Sequence, residues 1–179
     1  MLLVLAVHEP SEFRGQFVML SGRENFRRGM LLTSDESLAS KWELVKLPGQ
    51  PYGRFVLIIR GREDELEGKA LRHGCSMAIQ VSDLPEDLTN VDPHLVWQFV
   101  PATITRPPHE YASVLFCAAH LNANGAVGLH RDREGIPRVA PVHTRIGDVL
   151  GIAHFVVRRE EGPERAGESF CEAEIRGTR

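Results

Sequence analysis

The feature that most constrains this chain is a series of short apolar runs, each broken by turn-forming residues. Runs of about four to eight residues rich in β-branched side chains are typical of strands, and glycine, proline, asparagine and aspartate mark the turns between them. Asn124-Gly125 and Gly135-Ile136-Pro137 are such turns. The pattern predicts these strands: Leu2–Val7, Gln16–Leu20, Met30–Thr33, Trp42–Leu47, Arg54–Arg60, Lys69–Arg72, Met77–Val81, Leu95–Val100, Ala112–Ala118, Val127–His130, Arg138–His143 and Val149–Val157.

Helical signals are weak by comparison. No segment longer than about ten residues keeps apolar side chains at helical spacing between capping residues. The best candidate is one short turn at Pro85-Glu86-Asp87-Leu88, with Asp83 as its cap. We therefore predict an all-β chain, and many short strands at regular spacing favour a sandwich or a barrel.

Three segments of the chain open and close alike. The openings are Phe17–Leu20, Phe55–Ile58 and Ser113–Phe116. The closing strands begin at Trp42, Trp97 and Ala153, which are 55 and 56 residues apart. The distance from each opening to the Leu that ends the second strand also agrees, at 15, 16 and 16 residues, and the two agreements together predict a threefold internal repeat.

The first unit departs from the other two. Its second strand ends at Leu32, only 10 residues before the closing strand, whereas the corresponding intervals are 26 and 24 residues in the other units. Three explanations stay open. The unit is trimmed, or the N-terminal run Leu2–Val7 completes it, or the fold is a different closed barrel of the lipocalin-like kind. Closure removes exposed strand edges in each case.

Units that close on a Trp-x-apolar-Val strand resemble the β-trefoil superfamily, in a layout similar to that of ricin-B-like lectins and trefoil protease inhibitors. The resemblance covers residues 13–158 and implies a β-trefoil-like barrel of three related units. It also implies that Trp42 and Trp97 pack in the barrel core, while Ala153 departs from the pattern.

The resemblance also points to candidate binding residues, because trefoil lectins place acidic ligands for sugar hydroxyls just after the second strand of each unit. The predicted ligand-binding set is Asp35, His73, His130, Arg131 and Asp132, with Asp35 and Asp132 at matching positions. The Q-x-W motif of ricin-type lectins is absent, since Ser40 and Leu95 stand two residues before the tryptophans. The alternative is that the predicted set consists of turn residues.

No catalytic or metal motif stands out. Five of the eight histidines lie between residues 109 and 154 at spacings of 11, 10, 13 and 11 residues, without the close pairs typical of zinc sites. Cys117 lies in an apolar run typical of core, and Cys75 beside His73 is the more reactive-looking thiol. We predict no metal, no cofactor and no catalytic residue, and we favour a protein that is not an enzyme.

Composition limits the partners. The net charge is −3 without a clustered basic face, which argues against a nucleic acid. No apolar stretch is long enough for a transmembrane helix, and the N-terminal run lacks the basic start of a signal peptide. The three widely separated cysteines fit a reducing compartment. We expect a cytoplasmic protein without a membrane partner, with non-classical export left open.

We expect residues 1–160 to form a single domain, followed by a polar, flexible tail over residues 161–179. The proline-containing loops Ser82–His94, Thr105–Tyr111 and Arg131–Pro141 are candidates for recognition. The leading function is non-enzymatic carbohydrate binding. The alternatives are a protease inhibitor that acts through an exposed loop and a small barrel enzyme with a His, Asp and Cys pocket. The expected partner is therefore a carbohydrate or a protein such as a protease, in an undetermined oligomeric state.

Overall fold

The computed structural model describes residues 2–20, 22, 30–51, 53–74, 79–104, 111–120, 122–143 and 147–160. The predicted tail, Cys75 and residues 105–110 of one predicted loop lie outside this range. The described strands are β1 (Leu2–Glu9), β2 (Phe17–Met19), β3 (Met30–Thr33), β4 (Lys41–Lys46), β5 (Arg54–Arg60), β6 (Ala70–Arg72), β7 (Gln80–Ser82), β8 (Trp97–Ile104), β9 (Tyr111–Cys117), β10 (Val127–Asp132), β11 (Pro137–Pro141), β12 (Gly147–Ile152) and β13 (His154–Arg159). In the described part of the chain, four 3₁₀ helices lie between these strands, at Ser11–Phe13, Glu36–Leu38, Pro93–Leu95 and Ala123–Gly125.

Within the described residues, six strands close an antiparallel barrel. Strand β1 pairs with β4 and with β13, and the ring continues from β13 through β9, β8 and β5 back to β4. The hairpins β2–β3, β6–β7 and β10–β11 complete the three units. Each unit supplies two barrel strands and one hairpin. This confirms the predicted all-β, β-trefoil-like barrel of three related units.

The lipocalin-like alternative is wrong. An up-and-down barrel places each strand beside the next one in sequence, whereas here β1 lies between β4 and β13 in the ring.

The first unit begins at the N-terminal strand, so the predicted opening at Phe17 is wrong. Strands β1, β5 and β9 open the three units, and Phe17 belongs to β2, the counterpart of β6 and β10. Leu32 therefore lies in β3, the third strand of its unit, and not in the second strand as predicted. Asp35 follows a third strand whereas Asp132 ends a second strand, so their predicted match is wrong. The run Leu2–Val7 supplies the strand that the first unit seemed to lack, as one of the open explanations required.

Two local predictions are also corrected. The predicted strand Val149–Val157 is divided into β12 and β13, and β12 is an additional strand that pairs with β10. The turn predicted at Pro85–Leu88 is not helical. The nearby 3₁₀ helix instead covers Pro93–Leu95, where Asp92 accepts a hydrogen bond from the His94 amide and a proline occupies the first position.

Strand β5 of the barrel wall is buried on both of its faces. In β5, Phe55, Leu57 and Ile59 belong to the central core, while Val56 and Ile58 belong to a second apolar cluster. Because successive side chains of a strand point to opposite faces, a strand covered on both sides has a continuous apolar sequence. This explains the run Phe55–Ile59.

Both tryptophans are fully buried in the central core, as the resemblance implied. The Nε1 of Trp97 donates a 2.9 Å hydrogen bond to the Leu71 carbonyl. The Nε1 of Trp42 has no partner among the described residues. Ala153 holds the third position and is also fully buried, two residues before the buried ring of Phe155. No helix in the described segments has the length and apolar character needed to cross a membrane.

Candidate functional site

Asp35, the first residue of the predicted ligand set, is a helix cap. Its side chain is exposed, and Oδ1 accepts hydrogen bonds from the Ser37 hydroxyl at 2.7 Å and the Ser37 amide at 2.9 Å. These bonds lower the pKa of the Asp35 carboxyl. The carboxylate thereby caps the first turn of the 3₁₀ helix Glu36–Leu38.

Asp132 organises the turn between β10 and β11. Its Oδ1 accepts from the Glu134 and Ile136 amides, each at 2.9 Å, and its Oδ2 accepts from Arg138 Nε at 2.8 Å. The Asp132 and Arg138 side chains are each only 5% exposed. Burial acts to raise the pKa of the Asp132 carboxyl, but the hydrogen bonds from Arg138, Ile136 and Glu134 outweigh it and hold the pKa below its ordinary value.

The two neighbours of Asp132 in the predicted set also have protein partners. Arg131 donates to the Gly135 carbonyl and pairs with Glu12, both at 3.1 Å. His130 is fully buried, and its Nε2 donates to the Pro141 carbonyl at 3.1 Å. Burial lowers the pKa of His130. The ligand-binding role of these residues stays a prediction, and their contacts are those of turn and core residues.

A pocket of about 250 Å³ lies on the barrel wall, and no residue of the Asp132 turn is among those that line it. It is lined by Arg54, Gln98, Val100, Phe116, Cys117, Ala118 and His120. Strands β5 and β8 come from the second unit and β9 from the third, so the pocket lies at the seam between these two units.

Strand register explains why these side chains meet. Arg54 on β5 faces Gln98 on β8, and Gln98 in turn faces Phe116 on β9. Residues that face each other across antiparallel strands project from the same side of the sheet. The three side chains therefore form one row, while Trp97, beside Gln98 in β8, is buried in the core.

Two polar atoms at the pocket have unused hydrogen-bonding capacity. Arg54 Nε and His120 Nε2 are buried and have no hydrogen-bond partner among the described residues. Burial, followed by the charges of neighbouring histidines, lowers the pKa of His120, so its ring is neutral at neutral pH. The positive charge of the pocket comes from Arg54, because a guanidinium stays protonated in proteins. The row can bind a group that carries negative charge beside an apolar face.

Of the predicted ligand set, His73 contacts a residue that lines this pocket. It is fully buried, and its ring centroid is 4.6 Å from that of His120. Its Nε2 donates to the Asn124 carbonyl at 3.1 Å. No group of three or more His, Cys, Asp or Glu side chains in the described part of the chain is arranged to hold a metal ion.

Sequence reasoning missed Arg54, Gln98 and Phe116. The available signal was the polar Gln98 between two apolar residues in Trp97-Gln98-Phe99, since this alternation indicates an outward-facing side chain. The row itself depends on the pairing of three strands that are distant in sequence.

Comparison with protein-family models found no match, and comparison with curated proteins found none either. Among solved structures, the chain is similar to a designed threefold symmetric protein, ThreeFoil, with 13% identity and a TM-score of 0.48. The alignment covers 89% of this chain and 99% of that chain.

Proposed function

We propose that the chain is a non-enzymatic recognition domain that binds an acidic carbohydrate in the seam pocket. The observation that supports this most is the row of Arg54, Gln98 and Phe116, which places a cation, an amide and an aromatic ring side by side. A β-trefoil-like barrel is compatible with a lectin role.

Each member of the row matches one part of such a ligand. The guanidinium of Arg54 is a fork of donors suited to a sugar carboxylate. The amide of Gln98 can both donate to and accept from sugar hydroxyls, and Phe116 offers an apolar surface to the carbon face of a sugar ring. The pocket volume of about 250 Å³ lies below the roughly 300–1,000 Å³ of sites for drug-sized ligands. We therefore expect it to hold one terminal sugar.

The test is titration calorimetry of the protein with glucuronic acid and with glucose, supported by amide chemical-shift mapping. We expect glucuronic acid to bind more tightly than glucose and to shift the amides of β5, β8 and β9. In Arg54→Gln we expect the affinity for glucuronic acid to fall by roughly 10- to 100-fold, because a hydrogen bond to a charged group contributes about 1.5–3 kcal/mol.

Arg131→Gln is the matched control, since Arg131 belongs to the ligand set predicted from sequence but not to the pocket. We expect it to bind glucuronic acid as the unaltered protein does. Binding that survives Arg54→Gln but is lost in Arg131→Gln would place the ligand at the β10–β11 turn. Failure to bind any acidic sugar on a glycan array would reject the proposal.

A second candidate is a protease inhibitor that acts through the predicted loop Ser82–His94. Part of this loop is braced, because Asp87 accepts from the amide and the hydroxyl of Thr89. Asp92 further binds Arg72 and His94. An ordered, exposed loop loses little entropy on binding. Inhibition in a protease panel that is abolished by Asp87→Ala, without any effect of sugars, would favour this candidate.

A further inference from the structure

Four histidine rings lie close together, and one of them, His120, lines the seam pocket. His73 follows β6 and His94 lies in a 3₁₀ helix of the second unit, whereas His120 follows β9 and His143 follows β11 in the third unit. The ring centroid of His73 is 4.6 Å from that of His120 and 5.0 Å from that of His143. The His94 and His120 centroids are 5.7 Å apart, and those of His120 and His143 are 6.1 Å apart.

One backbone carbonyl connects two of these rings. The Asn124 oxygen accepts from His73 Nε2 at 3.1 Å and from His143 Nδ1 at 3.2 Å. The His73 amide also donates to the His94 carbonyl at 2.8 Å. Because Nε2 of His73 carries the proton, Nδ1 of the neutral ring is an acceptor, and this buried atom has no partner among the described residues. The cluster thus joins the second unit to the third through imidazole rings.

The charged side chains near the cluster include Asp92, Arg72 and Arg54. Asp92 accepts from His94 Nδ1 at 3.0 Å, but Arg72 already pairs with it at 2.6 Å. On the pocket side, Arg54 lines the same cavity as His120, together with the thiol of Cys117. His130 is also coupled to the cluster, because the charge of His143 contributes to lowering the pKa of His130. Within the described residues, a second positive charge here therefore lies near Arg54 and other imidazoles, and the Asp92 carboxylate at His94 is shared with Arg72.

We propose that this four-histidine cluster is an acid-sensitive joint between the second and third units, which holds at neutral pH and loosens when its rings take up protons. Two imidazolium rings at 4.6–6.1 Å repel each other. Protonation of His73 Nδ1 also places a charged donor, without a partner among the described residues, in a buried position. This inference concerns the seam and does not depend on the carbohydrate proposal.

The titration of His73 supports the same direction. Burial, followed by the charges of His120 and His143, lowers the pKa of His73 to about 4 from an ordinary 6.5. The unfolded chain therefore binds this proton first, so the stability contributed by neutral His73 is complete above pH 6.5 and is lost as the pH falls towards 4. The pKa of Asp92 is held at about 2, first by the hydrogen bond from the His94 amide, so its own contribution is lost in a lower pH range.

The experiment compares urea unfolding at pH 7.5 and pH 5.0. We expect the unfolding midpoint of the full chain to fall by on the order of 1 M urea between these values. In the double variant His120→Gln, His143→Gln, the fall should be smaller, since two of the repelling charges are gone and a glutamine amide can still donate to Asn124. His8→Gln, outside the cluster, should behave as the unaltered protein does.

A second measurement follows the His73 ring directly. In an NMR titration, we expect the ring of His73 to titrate well below the ordinary histidine range in the unaltered protein and to move towards that range in His120→Gln alone. Equal losses of urea midpoint in all the variants, or an ordinary titration of His73 in the unaltered protein, would overturn the proposal. The NMR titration decides the matter if the double variant does not fold.

Discussion

Asp132 has protein partners on both carboxylate oxygens, whereas Arg54 Nε is buried with none among the described residues. Sequence alone favoured Asp132 as a ligand residue, because a polar residue after a strand looks the same whether it binds a ligand or closes a turn. The distinction depends on Arg138, six residues further along the chain. Only the folded hairpin brings Arg138 against the carboxylate.

Removing the Asp132 carboxylate is predicted to destabilise the fold rather than to abolish ligand binding. Asp132→Ala removes the carboxylate that pairs with the buried Arg138 at 2.8 Å, and loss of one partner of a buried ion pair costs about 3–5 kcal/mol. Urea unfolding at pH 7 measures the loss. The folded fraction should still bind glucuronic acid with unchanged affinity. A stable Asp132→Ala protein that no longer binds sugar would instead make Asp132 a ligand residue.

The two tryptophans provide a matched pair for the contribution of one hydrogen bond. Both rings are fully buried, but only Trp97 has a partner for its Nε1. Trp97→Phe should therefore reduce the free energy of unfolding by about 1 kcal/mol more than Trp42→Phe, since both changes remove similar ring volume. Thermal or urea unfolding of the two variants measures the difference. A larger loss in Trp42→Phe would contradict the assigned bonding.

At the scale of elements, local sequence predicted most strands but not their roles. The bounds of β3 and β5 were predicted correctly because turn residues isolate both strands. The predicted opening strand of the first unit was wrong because β1 and β2 are both short apolar runs. Only long-range pairing shows which of them enters the barrel. The division between β12 and β13 was missed because Ala153 continues the apolar pattern while being fully buried.

The 3₁₀ helix Ala123–Gly125 is predicted to hold His120 in position through close backbone contact. A Cβ at Gly125 would lie 2.9 Å from the His120 oxygen and 3.0 Å from the Cys117 oxygen, which is too close for either backbone. Gly125→Ala should reduce the free energy of unfolding by about 1–3 kcal/mol and weaken the binding of glucuronic acid, because His120 lines the pocket.

Gly22→Ala serves as the control for this substitution, since a Cβ at Gly22 meets nothing within 4 Å. Its unfolding free energy and its affinity should remain close to those of the unaltered protein. If Gly125→Ala were as stable and as tightly binding as Gly22→Ala, the helix would not position His120.

At the scale of the whole molecule, ring closure creates the candidate site. Pairing of β1 with β13 and of β1 with β4 brings the first and last described strands together. The same ring places β5, β8 and β9 side by side, which aligns Arg54, Gln98 and Phe116. Sequence reasoning predicted the threefold barrel from recurring closing strands. It could not predict the row, because lateral neighbours in a barrel come from strands far apart in the chain.

The most direct test of this account is a set of cross-strand NMR contacts between backbone protons of facing residues. The decisive pairs are Leu5 with Val157, Leu3 with Trp42, Arg54 with Gln98, and Gln98 with Phe116. We expect contacts at all four strand pairs in one folded species at neutral pH. Contacts missing between β1 and β13, or between β5 and β8, would show an open sheet and contradict the barrel and the site on its wall.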